Sequence, residues 1–186
     1  GIGRSARDGI LIKGGEFLET AAKIDVVAMD KTGTLTKGRP QLTDVVALAP
    51  GVDKNQVLAW AARAEAGSEH PLARPILEAA EQAGIAVAEL PEHIEPVIGK
   101  GITARVEGKR VLIGNLALLE QFGVADTVGA DRQAHQLATQ GRTPMIVAVD
   151  DQVLGVIAVA DEIRRDAAAM VAALHKAGVK KVVMLT

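Results

Sequence analysis

Asp25-Val26-Val27-Ala28-Met29, followed at once by Asp30-Lys31-Thr32-Gly33-Thr34-Leu35-Thr36-Lys37-Gly38, is the stretch on which the fold turns. Its first five residues are almost wholly apolar, as a strand covered on both faces should be, and they run directly into a polar, glycine-bearing loop. A similar stretch, Lys181-Val182-Val183-Met184-Leu185, stands just before Thr186. Ahead of it, Ala167, Met170, Val171, Leu174 and Ala177 repeat at helical spacing, and Gly178 supplies the stop. Strand, helix and matching strand predict half of a parallel, Rossmann-type α/β sheet. Ligands of such sheets lie outside the carboxyl ends of the strands, where Asp30 falls.

The residues between the two strands follow another pattern. Leu42–Leu48 reads as a strand. Asp53 with Gln56 forms a capping box opening a helix to about Glu65. A second helix lies within Pro71–Gln82 and stops at Gly84, with Pro71 suited to its first turn and Pro75 kinking or delaying it. Pro91 and Pro96 mark extended chain. Ile102–Val106 and Arg110–Ile113 predict a hairpin through Glu107-Gly108-Lys109, and short helices follow to about Gln140. Met145–Val149 and Val153–Val159 predict a second hairpin through Asp150-Asp151-Gln152. The expectation is therefore an α/β domain, residues 1–37 and 158–186, interrupted by an inserted α+β domain, residues 38–157, with an antiparallel sheet flanked by helices.

Composition narrows the function. The 186 residues suffice for one domain, or one and part of another, and 48% are hydrophobic, so the chain can build a core. A net charge of −2 offers no field for nucleic acid, and the only large aromatics, Trp60, Phe17 and Phe122, are too few for base-stacking platforms. The absence of cysteine excludes disulfides and thiolate metal sites. His70, His93, His135 and His175 are too scattered for a zinc-type site. Apolar runs such as Val156–Ala160 fall far short of the roughly 20 residues that span a bilayer, and the polar Gly1–Asp8 does not read as a signal peptide.

Asp30 is placed for phosphoryl chemistry. A carboxylate at a strand end can attack phosphorus in line and form an acyl phosphate. Lys31, the hydroxyls of Thr32 and Thr34, and the N–H groups around Gly33 can stabilise the developing charge. Asp30 and Gly33 alone also fit an ordinary strand-to-turn loop. In the insertion, Ser68-Glu69-His70-Pro71 precedes a helix, Gly99-Lys100-Gly101 is a glycine loop, and Gly114-Asn115 closes the first hairpin. Singly these read as a cap or surface histidine, a turn, and an N-cap for the next helix.

Taken as whole strings, they are more specific. Asp30–Thr36, DKTGTLT, resembles the phosphorylation signature of P-type ATPases. SEHPLA (68–73), GKGI (99–102) and VLIGN (111–115), in that order, resemble the nucleotide-binding domain of the heavy-metal-transporting, CPx-type subgroup. The resemblance implies a partial haloacid dehalogenase-like (HAD-like) phosphorylation domain in which ATP phosphorylates Asp30. Mg²⁺ would be held partly by the Asp30 carboxylate and the Thr32 carbonyl. It implies an ATP site lined by Glu69, His70, Gly99, Gly101, Gly114 and Asn115, with Glu69 and His70 near the adenine and no aromatic stacked on it. Asp161 and Arg164 match the family's return segment, and read on their own as a helix start.

Phosphatases of this fold carry an aspartate general acid two residues after the nucleophile. Thr32 stands there, which suits a phosphoenzyme that persists. Segments 9–15 (GILIKGG), 157–165 (IAVADEIRR) and 180–186 (KKVVMLT) look closer to zinc, cadmium and lead exporters than to copper exporters. The expected whole is a membrane ATPase with this segment on the cytoplasmic side, partnered by ATP, ADP and its own transmembrane and actuator domains. The chain by itself is expected to be soluble and monomeric, with no nucleic-acid partner, and to bind ATP without turnover because its Mg²⁺ site is incomplete. A copper exporter, a soluble phosphatase or phosphotransferase of the same fold, and a non-catalytic nucleotide sensor are the competing readings.

Overall fold

The computed structural model describes residues 23–30, 36–163 and 167–185. They divide into two compact units: Pro40–Asp161, and the residues on either side of it. The changes of unit fall within two long strands, β2 (Thr36–Ala47) and β7 (Gln152–Ile163).

In the flanking unit, β1 (Val26–Asp30) pairs in parallel with β8 (Lys181–Leu185), from Val26 opposite Lys181 to Asp30 opposite Leu185. The Asp25 carbonyl accepts from both the Lys180 and Lys181 N–H groups, at 2.7 and 3.0 Å, which starts this ladder. Helix α5 (Ala167–Lys176) turns Ala167, Met170, Val171 and Leu174 away from solvent, the face its periodicity predicts. Ala177 is exposed, because the helix has ended and Gly178, at φ +103°, turns the chain toward β8. Within this chain Val26 of β1 is 54% exposed, and Ile24 just ahead of the strand is also exposed. Among the described residues this unit holds the β1–β8 pair, helix α5 and the ends of β2 and β7.

The other unit is built on a six-stranded sheet in the order β2-β7-β6-β5-β4-β3, whose pairings from β3 to β7 are antiparallel. The strands are β3 (His93–Val97), β4 (Gly101–Val106), β5 (Lys109–Gly114) and β6 (Thr143–Val149), with β2 and β7. Helices α1 (Lys54–Glu65) and α2 (Ala73–Gln82) precede β3, and α3 (Leu116–Gln121) and α4 (Val128–Thr139) lie between β5 and β6. Met145, Val147 and Val149 of β6 join the core formed with α1 and α2. Ile146 and Ala148 join the core formed with α3 and α4. Helices thus cover both faces, which is why β6 and β7 are continuously apolar instead of alternating.

Local chemistry sets the boundaries. The Asp53 carboxylate accepts from the Gln56 N–H at 2.8 Å while Gln56 Oε1 accepts from the Asp53 N–H at 2.9 Å, so the expected capping box opens α1. Helix α2 starts only at Ala73, beyond Pro71, and this late start puts Pro75 in the first turn, where a missing N–H costs no helical bond. Pro96 is tolerated because β3 is an edge strand. Both hairpins turn on two residues at positive φ, Glu107-Gly108 and Asp150-Asp151, the conformation that matches strand twist. No helix among the described residues is long and apolar enough to cross a membrane.

Candidate functional site

A cavity of about 330 Å³ opens at one end of the six-stranded sheet, within the size range of small-molecule sites. His70 reaches it from the loop after α1, Gly99 and Gly101 from the β3–β4 turn, and Gly114 and Asn115 from the end of β5. Three short strings far apart in sequence are thereby brought to one wall. Glu69 is exposed and does not line the cavity. Lys31, Thr32 and Thr34, together with Gly33 and Arg164, lie outside the described residues. Asp30 is described by its backbone, as the last residue of β1.

Backbone hydrogen bonding holds the glycine turn. The Lys100 N–H donates to the Val97 carbonyl at 2.9 Å, with Gly99 at φ +73° in a position that favours glycine. Asn115 binds this turn to α3: its Nδ2 donates to the Gly99 carbonyl at 3.0 Å and its N–H to the Lys100 carbonyl at 2.9 Å. Its Oδ1 accepts from the Leu118 N–H at 3.1 Å. Asn115 is therefore both an N-cap and a wall of the cavity. Gly101 and Gly114 face each other across the β4–β5 ladder, where a Cβ on either would overlap backbone of the other strand.

His70 is oriented by its neighbours. Its N–H donates to Ser68 Oγ and its Nδ1 accepts from the Leu72 N–H, both at 3.2 Å. That leaves the ring proton on Nε2 in the neutral form.

The acidic group of the cavity is Glu65, the last residue of α1, which the sequence reading left unassigned. It is 2% exposed, and its Oε2 has no hydrogen-bond partner. Burial pushes its carboxyl up to about 7, against a smaller lowering by the Ser68 hydroxyl. The signal was present in the sequence: Glu65 continues the buried stripe of Leu58, Ala61 and Ala62 at helical spacing, a position where a carboxylate is out of place. The folded protein binds this proton more tightly than the unfolded chain does. Stability is therefore full below pH ~4.5 and falls as pH rises to about 7, by ~3 kcal/mol. Glu65→Gln is expected to flatten that slope and to raise stability at pH 8, measured by urea unfolding at pH 5 and 8. An unchanged slope would refute the assignment.

Apart from Lys100, the remaining lining is aliphatic, including Leu72, Val97, Ile102, Ile113 and Met145, with no Phe, Tyr or Trp. A buried acceptor, a glycine turn and apolar walls suit a flat, amine-bearing heterocycle. Among the described residues no group of three His, Cys, Asp or Glu side chains could hold a metal ion.

Comparison with known proteins defines the class. A family model for haloacid dehalogenase-like hydrolases matches residues 24–186, and the chain belongs to that family. Relatives that it matches include zinc- and manganese-exporting P-type ATPases and a cadmium-transporting ATPase. The chain is 40% identical over its whole length to a zinc-exporting P-type ATPase of Mycobacterium marinum, covering 25% of that protein. A manganese-exporting P-type ATPase of Mycobacterium bovis matches at 40%, with 26% covered. A cadmium-transporting ATPase of Staphylococcus aureus matches at 39%, with 26% covered. The chain thus spans about a quarter of the length of these relatives. Among solved structures it resembles a zinc-transporting PIB-type ATPase, with TM-score 0.79 and 39% identity over all of this chain and 29% of that one. It also resembles the N-domain of a copper-transporting P-type ATPase, with TM-score 0.54 and 26% identity over 66% of this chain and 99% of that one.

Proposed function

We propose that this chain is the ATP-binding and phosphorylation segment of an ATP-driven heavy-metal exporter, with zinc, cadmium or lead favoured over copper. Pro40–Asp161 is the nucleotide-binding domain, and the flanking unit carries the phosphoacceptor Asp30. The unpartnered Glu65 oxygen in the aliphatic cavity carries this reading best, because a buried acceptor without a donor is costly until a ligand supplies one. The exocyclic amine of adenine is such a donor, whereas guanine presents a carbonyl oxygen at the same ring position. Aliphatic side chains then cover the base where no aromatic ring is available to stack on it.

In the reaction proposed, a carboxylate oxygen of Asp30 bonds to the γ-phosphorus while the bond from that phosphorus to the ADP oxygen breaks. ADP leaves and an acyl phosphate remains. Lys31 and the Thr32 and Thr34 hydroxyls stabilise the added charge, and Thr32, where a phosphatase of this fold has an aspartate, leaves the intermediate without a general acid. Asp30 at the carboxyl end of a parallel strand pair fits this role. The Asp30 carboxylate and the Thr32 carbonyl would hold Mg²⁺, which would supply neutralisation of phosphate charge.

Calorimetric titration of ATP, ADP and GTP into this chain and into His70→Gln tests the proposal. ATP and ADP should bind, GTP at least about tenfold more weakly, and His70→Gln should lose about tenfold in affinity for ATP. Equal binding of ATP and GTP, or no binding by folded protein, would reject the adenine assignment.

A further inference from the structure

We infer that Lys100, the middle residue of the glycine turn, holds the phosphate tail of the bound nucleotide, an inference that rests on the adenine-nucleotide reading of the cavity. Lys100 is the one lysine or arginine in the cavity lining, and Glu65 is the one carboxylate. Glu65 is fully buried, whereas Lys100 is half-exposed at the rim. A polyphosphate finds no cation at the buried Glu65 end and is attracted to the Lys100 end. An amine-bearing base with an anionic tail therefore has one favourable direction of entry, base toward Glu65 and phosphates toward Lys100.

The backbone on both sides of Lys100 is fixed, its N–H by the Val97 carbonyl and its carbonyl by the Asn115 N–H, each at 2.9 Å. The side chain is free of such restraint. Its Nζ donates to Gln121 Oε1 at 2.7 Å, a neutral acceptor at the end of α3, and among the described residues no carboxylate lies within ion-pair distance of it. A phosphate oxygen in place of the Gln121 amide converts a neutral acceptor into a charged one, and charge-assisted bonds are roughly twice as strong as neutral ones. Gln121 thus keeps the ammonium hydrogen-bonded at the rim without neutralising it. A lysine there serves as a mobile point charge suited to phosphate.

Titration of adenosine, ADP and ATP into the wild type, Lys100→Ala and Gln121→Glu tests this. The wild type should bind ADP and ATP more tightly than adenosine. Lys100→Ala should lose roughly tenfold for ADP and ATP and nothing for adenosine. Its ADP affinity should also depend less on salt than that of the wild type. Gln121→Glu, which supplies the missing carboxylate to Lys100, should shift ADP and ATP in the same direction and spare adenosine. ADP affinity unchanged in Lys100→Ala, or adenosine weakened as much as ADP, would overturn the role of Lys100 with the cavity assignment intact. Failure of the wild type to bind adenosine, ADP and ATP alike would overturn the nucleotide reading itself, and this inference with it.

Discussion

In the full-length exporter proposed above, Asp30→Asn is expected to abolish the acid-stable, hydroxylamine-labile phosphoenzyme that the proposal requires, a loss on the order of 10³-fold or more, while ATP affinity of the Pro40–Asp161 unit stays unchanged. The asparagine is nearly isosteric, so backbone pairing of Asp30 with Leu185 at the end of the parallel ladder persists. The chemistry does not persist, because the amide nitrogen's lone pair is delocalised and the neutral oxygen is a poor nucleophile toward a polyanion. Asp25 provides the control. It stands at the opposite end of β1, 3.7 Å from the Lys180 ammonium in an exposed pair, and Asp25→Asn should leave phosphorylation within a factor of about two, since such pairs contribute little. Radiolabel from γ-phosphate surviving acid precipitation in Asp30→Asn would disprove the acceptor assignment. Label lost equally in both variants would show that β1 had been disturbed as a whole.

Much of the fold was legible where a local rule had a local cause. The Asp53–Gln56 box, the hairpin connection at Glu107-Gly108 and the stripe of Ala167, Met170, Val171 and Leu174 each depend on residues within a few positions of one another. The box has its expected form, while Lys109 of the expected connection belongs to β5 and Ala177 of the expected stripe is exposed. The parallel pairing of β1 with β8 was legible for another reason: two alike apolar strands, one preceded by an amphipathic helix, have few other ways to share a sheet. Coverage of β1 is a different matter, since an apolar strand states only that its faces can be buried, and within this chain Val26 is half exposed.

Part of the lining of the candidate cavity was legible as a set of strings, through the likeness of SEHPLA, GKGI and VLIGN to the nucleotide-binding domain of the heavy-metal subgroup. Their meeting depends on the β3–β4 turn lying beside the end of β5, a long-range contact that no periodicity reports. The resemblance implies Glu69 beside His70 as the acidic residue of the site, but Glu69 is exposed and does not line the cavity. A chain bending out of α1 toward α2 points neighbouring side chains apart, and the carboxylate in the cavity comes from the helix end instead. Glutamate at the end of a helix ordinarily reads as solvated, and only its register with Leu58, Ala61 and Ala62 marks Glu65 as buried.

Gly101→Ala should remove the folded Pro40–Asp161 unit or destabilise it by about 4 kcal/mol or more. Two costs combine. Gly101 has φ +139°, where a residue with a Cβ is strained. The added Cβ would also overlap the Ile113 carbonyl oxygen and lie 2.6 Å from Gly114 Cα. Those are backbone atoms of the paired strand, so no rotamer change relieves the contact, and β4 can accept the methyl only by moving off β5 at the Gly101–Gly114 pair. Gly99→Ala is the contrast: its Cβ meets nothing within 4 Å, and φ +73° alone should cost about 1 kcal/mol. Thermal melts and urea midpoints of the two variants separate these cases. If Gly101→Ala melted within a few degrees of the wild type, the close approach of β4 and β5 would be wrong. The two glycines of the turn therefore serve different ends. Gly99 allows the bend that places Lys100 at the rim, and Gly101 lets β4 and β5 close behind it, so loss of ATP binding in Gly101→Ala would report a lost wall, not a lost ligand contact.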